Sequence, residues 1–442
     1  MRYPLLKLKY FVALALRSFW RDLFVTASIA LTLGAGIGAS MTTFSIVHIL
    51  AGDPIPTKSA VLFQPSVSLD GSDETDVQPK MAYQDAKAFT ERSLSRESVI
   101  LAQGLGPVET DDRRGGQGSS LLRFTTKDFF RMFDIPFASG GSWGQKEDVG
   151  GEHVAVLSKE TAIHLFGSTL AVGKAIVVGG AVFRVVGVMD NWHPIPRFYD
   201  LSIGAYMHPE DVYIPIRSIG DLNSEVFVSF NCGDGADAGA IMSGRFDRLF
   251  HSECTWTTVW VELPSSSEKR EYSDFLAGYL KEQRSVGRAA PRGRQSLRNL
   301  LDVLAQAKIV PGDVRVYTVL TFLFLALSLL SAAGALLGGF LQRSSEVQIR
   351  RALGASRSDI LMQFLVESFL LGVVGGAVGL LMTLIGLSAV RSFPSLAAQV
   401  VRIDGTVLGV TLVLSLASGV IAGLVPAWRA ARGEIGLELK LG

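Results

Sequence analysis

A chain of 442 residues with 48% hydrophobic side chains and a mean hydropathy of +0.33 is more apolar than an average soluble protein. Its 19% of charged residues is too many for a protein that lies wholly within a membrane. The formal net charge is only +1, so composition does not indicate a nucleic-acid-binding protein. We therefore expect membrane spans combined with a polar domain.

The N-terminal segment 1–22 is predicted to be a cytoplasmic amphipathic helix that lies on the inner membrane surface. Its basic side chains fall away from the centre of the apolar stripe, as expected for such a helix. The stripe consists of Phe11, Leu14, Ala15 and Phe19.

Four runs without Asp, Glu, Lys or Arg predict four transmembrane helices, since about 20 apolar residues cross a ~30 Å hydrocarbon core. The runs are Leu23 to Gly52, Val316 to Gln342, Ser368 to Val390 and Gly405 to Trp428. The first run also resembles a signal peptide, but it is roughly twice as long as an h-region of about 7–15 residues. An uncleaved span is expected there. We assign the spans to residues 23–52, 314–342, 364–390 and 405–428.

The distribution of basic residues predicts that both termini are cytoplasmic. Segments 1–22, 343–367 and 429–442 hold five, four and three Lys or Arg, whereas 391–404 holds two. Residues 53–313 are then expected to form one extracytoplasmic (periplasmic) domain. The remaining segments become a cytoplasmic loop at 343–363, a short periplasmic loop at 391–404 and a cytoplasmic tail at 429–442.

The outer domain combines strand and helix signals, so we expect an α+β domain. His153–Leu157 predicts a strand, Ser158 a cap for a helix to about Phe166, and Ala175–Val188 a hairpin with a glycine turn. Further helices are predicted for Lys127–Phe133, Glu268–Arg284 and Ser296–Lys308. We expect two lobes, with a strand-rich lobe of about 115–220 inserted into a mixed lobe of about 55–114 and 221–308.

The two cysteines of the chain, Cys232 and Cys254, both fall in the outer domain. In an oxidising compartment they could form a disulfide, and two separate thiols are the alternative. The six histidines form no HExxH motif and no pair at helical spacing, so no metal site is expected.

A stretch from Gly167 to Ala175 superficially resembles a phosphate loop. Its spacing is one residue too long, and Ala175 stands where a Ser or Thr would reach Mg²⁺. We therefore expect no ATPase activity, no catalytic residues and no bound cofactor in this chain.

Glycines four residues apart recur in every predicted span. Such spacing lets helix backbones approach closely in lipid. The residues Gly34, Gly38, Gly334 and Gly338 predict close packing of the first two spans, within the chain or across a dimer.

The loop between the second and third spans is basic and longer than a minimal turn. Ser345 is expected to cap a short helix from Glu346 to Leu353, which Gly354 ends. Ser356 with Asp359 resembles a capping box that starts the next helix. A solvated basic turn is the simple alternative, but this punctuation favours a shaped docking element. Its candidate residues are Glu346, Ile349, Arg350, Arg351, Leu353, Gly354, Ala355 and Arg357.

This loop closely resembles that of the MacB/FtsX-type permeases of ABC transporters, which reads like Glu-Ile-Gly-Ile-Arg-Arg-Ala-Leu-Gly-Ala-Ser-Arg-x-Asp-Ile. Gln348 stands where that family usually has Gly. The likeness continues through Gln363–Gly379 and Pro426–Ala431, and in the outer domain through Asp128–Phe137 and the segments from Val156 to Val188. The chain departs from the family at Arg432-Gly433-Glu434 and at Asn191–Asp200, and the role of the latter is left open.

The resemblance implies a MacB-like permease without a fused ATPase domain, in the bacterial inner (cytoplasmic) membrane. A separate ABC ATPase dimer would bind ATP and Mg²⁺, and a second permease copy or a homologous permease would complete the complex. In export members the spans relay ATPase closure to the outer domain. That domain pushes peptide, lipopeptide or drug-like cargo towards a periplasmic adaptor and an outer-membrane channel, which is efflux by mechanotransmission. Membrane lipids are further partners, and nucleic acid is not.

Two other functions stay open from the sequence. One is a lipoprotein-extraction or FtsX-like signalling permease, and the other is a non-transporting membrane sensor or scaffold. An export permease and a lipoprotein-extraction or signalling permease should both stimulate a partner ATPase, whereas a sensor or scaffold should not.

Overall fold

The computed structural model describes residues 3–50, 52–69, 80–91, 94–110, 119–232, 237–309, 312–391 and 405–432. The chain divides into two compact units, residues 1–52 with 310–442 and residues 53–309. Residues 392–404 of the expected periplasmic loop and 433–442 of the expected tail lie outside the described residues.

Both units contain helices. They are α1 (Tyr3–Arg21), α2 (Leu23–Leu50), α3 (Tyr83–Glu91), α4 (Phe129–Met132), α5 (Gln145–Gly150), α6 (Lys159–Phe166), α7 (Asp237–Met242), α8 (Ser266–Ser285), α9 (Leu300–Gln306), α10 (Gly312–Gln342), α11 (Ser344–Ala352), α12 (Arg357–Arg391) and α13 (Gly405–Arg432), with the 3-10 helices η1 (Ile216–Asp221) and η2 (Phe246–Phe250).

Four of these helices are long and apolar enough to cross a membrane, as the sequence predicts. Their spanning segments are Leu23–His48, Val316–Gln342, Arg357–Ala389 and Gly405–Ala431. The third begins at Arg357 rather than near residue 364, because the helix starts directly after Ser356 and continues without a break into the apolar run. The first turns of α12 therefore lie within residues 343–363, which the sequence assigned to the loop between the second and third spans.

The amphipathic helix α1 packs against α12 through the stripe predicted from the sequence. Phe11 and Ala15 are buried, and Phe19 is partly buried against the core of the helix bundle. Trp20, on another face, is 79% exposed.

The outer domain is built on one sheet of twelve strands. They are β1 (Leu62–Ser68), β2 (Glu97–Gly106), β3 (Val108–Glu109), β4 (Ser120–Thr125), β5 (Phe137–Gly140), β6 (Val154–Leu157), β7 (Ala175–Val178), β8 (Ala181–Met189), β9 (Val212–Pro215), β10 (Phe227–Val228), β11 (Thr258–Glu262) and β12 (Arg294–Asn299). The order is β12-β1-β11-β2-β4-β9-β6-β8-β7-β3, with β10 on β2 and β5 on β8.

The strands of the two expected lobes belong to one sheet. Strands from the inserted segment, β4 to β9, lie on one side of the β2–β4 pair, and β1, β10, β11 and β12 lie on the other. The two sets are nevertheless joined by antiparallel pairing from Leu101–Thr125 to Gly106–Ser120, so the sheet is undivided. Division of the domain into two lobes stays a prediction.

Several local predictions are confirmed. Val154–Leu157 is a strand, and the Oγ of Ser158 accepts a hydrogen bond from the amide of Thr161 at 3.1 Å at the start of α6. Strands β7 and β8 form the expected hairpin around Gly179 and Gly180, both with positive φ. The predicted helices at 127–133 and 268–284 are present as the shorter α4 and the slightly longer α8.

The predicted helix from Ser296 to Lys308 is wrong in its first part. Residues 294–299 form β12, which pairs with β1 from Phe63 to Ser68 at the edge of the sheet. Helix α9 starts only after Asn299, whose Oδ1 accepts a hydrogen bond from the amide of Asp302 at 2.8 Å. Pairing with a distant strand overrides the local helix signal.

Cys232 and Cys254, for which the sequence left a disulfide and two thiols open, are joined by a disulfide in the structure. The bond links the segment before α7 to the segment that leads into β11.

The segment between β8 and β9, which has no counterpart in the recognised motifs, is anchored by a buried ion cluster. This cluster consists of Arg123, Arg197, Asp200 and Glu210. Arg123 contacts both carboxylates, at 2.7 Å from Nη1 to Oδ2 of Asp200. Arg197 Nη1 lies 2.9 Å from Oε1 of Glu210, and Tyr199 donates to its Oε2 at 2.8 Å.

The two arginines hold the pKa of Asp200 and that of Glu210 below their ordinary values, although burial alone would raise them. Burial raises the pKa of Tyr199 well above its usual range, so its hydroxyl remains a donor. The cluster is therefore ionised at neutral pH, and each of its two carboxylates is compensated by an arginine inside the domain.

Removing one carboxylate should destabilise the domain strongly, because an arginine would be left buried and uncompensated. Glu210→Ala is expected to lower the free energy of unfolding by about 3–5 kcal/mol, measured by denaturant unfolding with tryptophan fluorescence. Glu271→Ala, at an exposed site on α8, is the control and should change it by less than about 0.5 kcal/mol.

The stabilisation should also depend on pH. Since the carboxyl pKa values are lowered in the folded state, the contribution is present above about pH 4 and is lost as pH falls further. Equal acid sensitivity of wild type and Glu210→Ala would contradict this account.

Candidate functional site: the loop between the second and third spans

The loop between the second and third spans folds as a short helix, α11, followed by a sharp turn. The helix begins at Ser344 with Arg343 as its N-cap and without a side-chain cap, so the expected cap at Ser345 is wrong. Gly354 has φ of +101°, which only glycine adopts without strain, and it ends the helix as predicted. The amide of Ala355 donates to the carbonyl of Arg350 at 3.0 Å and closes the turn.

The predicted restart at Ser356 is confirmed as a reciprocal cap. The amide of Asp359 donates to Ser356 Oγ at 3.2 Å, and the amide of Ser356 donates to Asp359 Oδ2 at 3.3 Å. Because both ends of the turn are fixed by local bonds, α11 is held at a defined angle to α12 rather than on a free linker.

The two faces of α11 differ in what they contact. Arg350 donates to Gln363 Oε1 on α12 at 2.8 Å and pairs with Glu346 at 2.5 Å, so its guanidinium is engaged within the chain. Ile349 and Leu353 are 61% and 84% exposed. Of the predicted docking residues, these two offer apolar surface, whereas Arg350 and Glu346 set the position of the helix.

A second set of charges joins this loop to the helix bundle. Arg343, between α10 and α11, donates to Glu367 Oε1 at 2.9 Å and to Asp22 Oδ2 at 3.1 Å. Ser18 on α1 donates to the same Glu367 oxygen at 2.6 Å. We call the contacts of Arg343 with Glu367 and Asp22 the Arg343 bridge.

Arg343, Asp22 and Glu367 are not among the site residues predicted from the sequence. A signal was present, however, because Glu367 is the one charged residue of the predicted span 364–390. An ionisable group at membrane depth needs a partner and often marks function. Glu367 is only 4% exposed, and the Arg343 bridge supplies that partner.

Gly34 and Gly38 on α2 face α12 of the same chain. A Cβ at Gly34 would lie 2.6 Å from Val378 Cγ1, and one at Gly38 would lie 2.6 Å from Met382 Cβ. Gly375 and Gly379 approach α2 from the other side, against Leu33 and Ile37. These glycines therefore serve close packing of the first and third spans.

Within the chain, Gly34 and Gly38 therefore pack with the third span and not with the second. Their expected packing across a dimer stays a prediction. On α10, a Cβ at Gly334 or Gly338 would meet nothing within 4 Å among the described residues of the chain. Spacing alone could not assign partners, because all four spans carry similar glycine pairs.

Two family models match this chain. Residues 26–244 match the MacB-like periplasmic core domain, and residues 318–435 match the FtsX-like permease C-terminal domain. The chain belongs to the MacB/FtsX-type ABC transporter permeases. It is a membrane protein with four apolar helices and a large α+β domain, as the sequence predicts.

Curated relatives agree with this membership. The chain is 24% identical to a "Probable export ATP-binding/permease protein" of Pseudomonas fluorescens and to the "Macrolide export ATP-binding/permease protein MacB" of Escherichia coli K12. These alignments cover 93% and 95% of the chain but only 59% of each relative. An "Uncharacterized ABC transporter permease YvrN" of Bacillus subtilis is 23% identical, with 92% of the chain and 93% of the relative covered.

Among solved structures, the periplasmic region of MacB from Actinobacillus actinomycetemcomitans is similar to this permease. The identity is 13% and the TM-score is 0.35, with 57% of this chain and 94% of that chain covered.

The glycine contacts give a test with a matched control. Gly34→Ala should destabilise the helix bundle by about 1–3 kcal/mol, since its Cβ would meet the stiff side chain of Val378. Gly409→Ala, on α13, adds the same methyl group where no described atom lies within 4 Å, and it should not destabilise the bundle. Thermal unfolding in one detergent measures both, and equal midpoints for the two variants would contradict the α2–α12 packing.

Proposed function

We propose that this chain is the permease subunit of an ABC exporter in the bacterial inner membrane, with both termini in the cytoplasm. In this proposal a separate ATPase dimer binds ATP and Mg²⁺, and the permease relays its motion to the outer domain. The observation that carries the proposal is α11: a rigidly held helix with an exposed apolar face, tied by ionic contacts to the spans.

The contact with the ATPase would be made by Ile349 and Leu353. Two large apolar side chains exposed on one short helix favour an interaction surface, because exposed leucine and isoleucine side chains gain free energy when a partner covers them. Arg351 and Arg357 lie beside them and would contribute charge complementarity.

Two connections would transmit a push on α11. The Arg350–Gln363 bond leads into α12, and the Arg343 bridge leads into α12 and the start of α2. Close packing at Gly34 and Gly38 then makes α2 and α12 move together, since densely packed helices transmit displacement.

The complex would contain two permease chains, identical or homologous, because a symmetric ATPase dimer needs two chains to act upon. The open surface at Gly334 and Gly338 on α10 supports a copy-to-copy contact there. The names of relatives, macrolide export and pyoverdine export among them, support an export function. In this proposal the cargo is a peptide, a lipopeptide or a drug-like molecule, and it leaves through a periplasmic adaptor and an outer-membrane channel. Lipids would surround the spans.

The apolar contact is tested at Leu353. Leu353→Asp should remove most of the stimulation that the permease gives to ATP hydrolysis by a co-reconstituted ATPase, because a charge would be buried in the contact. Leu353→Met should retain it, and Val286→Asp, at an exposed apolar site of the outer domain, is the control. Undiminished stimulation by Leu353→Asp would exclude this contact.

The relay is tested at Arg343, which binds two carboxylates at once. Arg343→Gln should abolish stimulation while membrane insertion and the basal rate of the ATPase stay unchanged, since Glu367 and Asp22 lose their shared cation. Arg343→Lys should give an intermediate rate, because an ammonium group does not reproduce the planar guanidinium fork.

Arg429→Gln is the matched control for Arg343→Gln. Arg429 is an exposed arginine near the end of α13. If Arg429→Gln and Arg343→Gln reduce stimulation equally, the effect belongs to cytoplasmic charge in general and not to the bridge.

A further inference from the structure

The outer domain has an open cleft between α3 and η2 on one side and α5 and η1 on the other; we call it the α3 cleft. Its volume is about 620 Å³, within the range of roughly 300–1,000 Å³ that is usual for ligand pockets. Helices α5 and η1 follow strands of the inserted segment, whereas α3 and η2 belong to the segments before and after it. The walls therefore come from both sequence portions of the domain.

Aromatic rings form the base of the α3 cleft. Tyr83 is 8% exposed, and its ring lies edge-on to Phe250 with centroids 4.9 Å apart and stacks on Trp256 at 5.9 Å. Val149, on the opposite wall, is an exposed apolar side chain. These contacts fix the rings, so a ligand would meet an apolar surface that is already in place.

The hydroxyl of Tyr83 makes no hydrogen bond with any residue that the structure describes. Other buried tyrosines of the domain do: Tyr272 donates to the carbonyl of Phe89 at 2.9 Å, and Tyr279 donates to Asp85. The Tyr83 hydroxyl is not among the buried atoms that lack a partner, so it is open to the cleft that Tyr83 lines. It is therefore placed to bind a ligand.

Cationic groups face the cleft from both walls. Arg217, on η1, donates from Nη1 to the carbonyl of Val149 at 3.2 Å, which is its one hydrogen bond among the described residues. Lys87, on α3, lies 3.4 Å from Glu91, whose side chain is 65% exposed, and an exposed pair of this kind is weak. Glu91 also lines the cleft, so the described lining carries two cations, Arg217 and Lys87, and one carboxylate. The excess of positive charge favours an anion.

We propose that the α3 cleft binds a small organic acid with an aromatic or alkyl part. The acid group is held between Arg217 and Lys87, and the apolar part packs on Tyr83 and Phe250. A planar guanidinium with free N–H groups suits a carboxylate, which it can bind through two parallel hydrogen bonds. Binding requires neither an ATPase nor a second permease, so this site does not depend on the proposed function.

The experiment uses the full chain in lipid nanodiscs and naphthalene-2-carboxylate as the probe. Binding is measured by saturation-transfer NMR, with empty nanodiscs to subtract partition into lipid and with the neutral 2-naphthamide as the isostere. We expect transfer to the carboxylate above the empty-disc level and about tenfold weaker binding of the amide, as for loss of a charged hydrogen bond.

Arg217→Ala should weaken the binding of the carboxylate about tenfold, whereas Tyr83→Phe should weaken it less. Arg270→Ala removes an exposed arginine of α8 that does not line the cleft, and it should have no effect. Lys87→Gln is a second variant on the opposite wall, should Arg217→Ala fail to fold by circular dichroism. Three results would each overturn the proposal. They are saturation transfer no greater than in empty discs, equal binding of the acid and the amide, and unchanged binding by both Arg217→Ala and Lys87→Gln.

Discussion

A carboxylate buried in an apolar helix bundle is the constraint on which the end of the bundle near α11 depends. Glu367 is almost fully buried, and a carboxylate buried in this way needs a cation close by. Arg343 supplies this cation. Because Arg343 lies between α10 and α11, its ion pair with Glu367 fixes the point at which the loop leaves the bundle. The same guanidinium also binds Asp22, so the start of α2 is fixed with it.

Glycine contacts fix the positions of the helices in the interior of the bundle, as the Arg343 bridge fixes them at its end. At Gly372 an added Cβ would lie 2.7 Å from the Cα of Gly419, so α12 and α13 touch backbone to backbone. Helix α12 thus approaches α2 on one side and α13 on another. In lipid, where burial of apolar surface gives little drive for association, such close approach is a main source of attraction.

Most patterns local in sequence gave correct predictions, with the cap at Ser345 as an exception. Contacts between distant segments could not be predicted. Charge-free runs identified the spans, and Ser158, Gly179-Gly180 and Ser356 marked caps and turns that the structure contains. The first part of the helix predicted from Ser296 is a strand, because β1 is available for pairing. Neither the partner of Gly34 nor the ion cluster of Arg123 with Glu210 could be found, since spacing does not show which segments meet in space.

Helix α10 runs from Gly312 to Gln342 with no proline in its sequence, which at 1.5 Å per residue is a rod about 46 Å long. By contrast, α13 contains Pro426, which removes a backbone donor and permits a bend. The two helices therefore differ in stiffness. A displacement applied to α10 at its Arg343 end would be transmitted almost fully to Gly312. The same force on α13 would bend the helix near Pro426 instead.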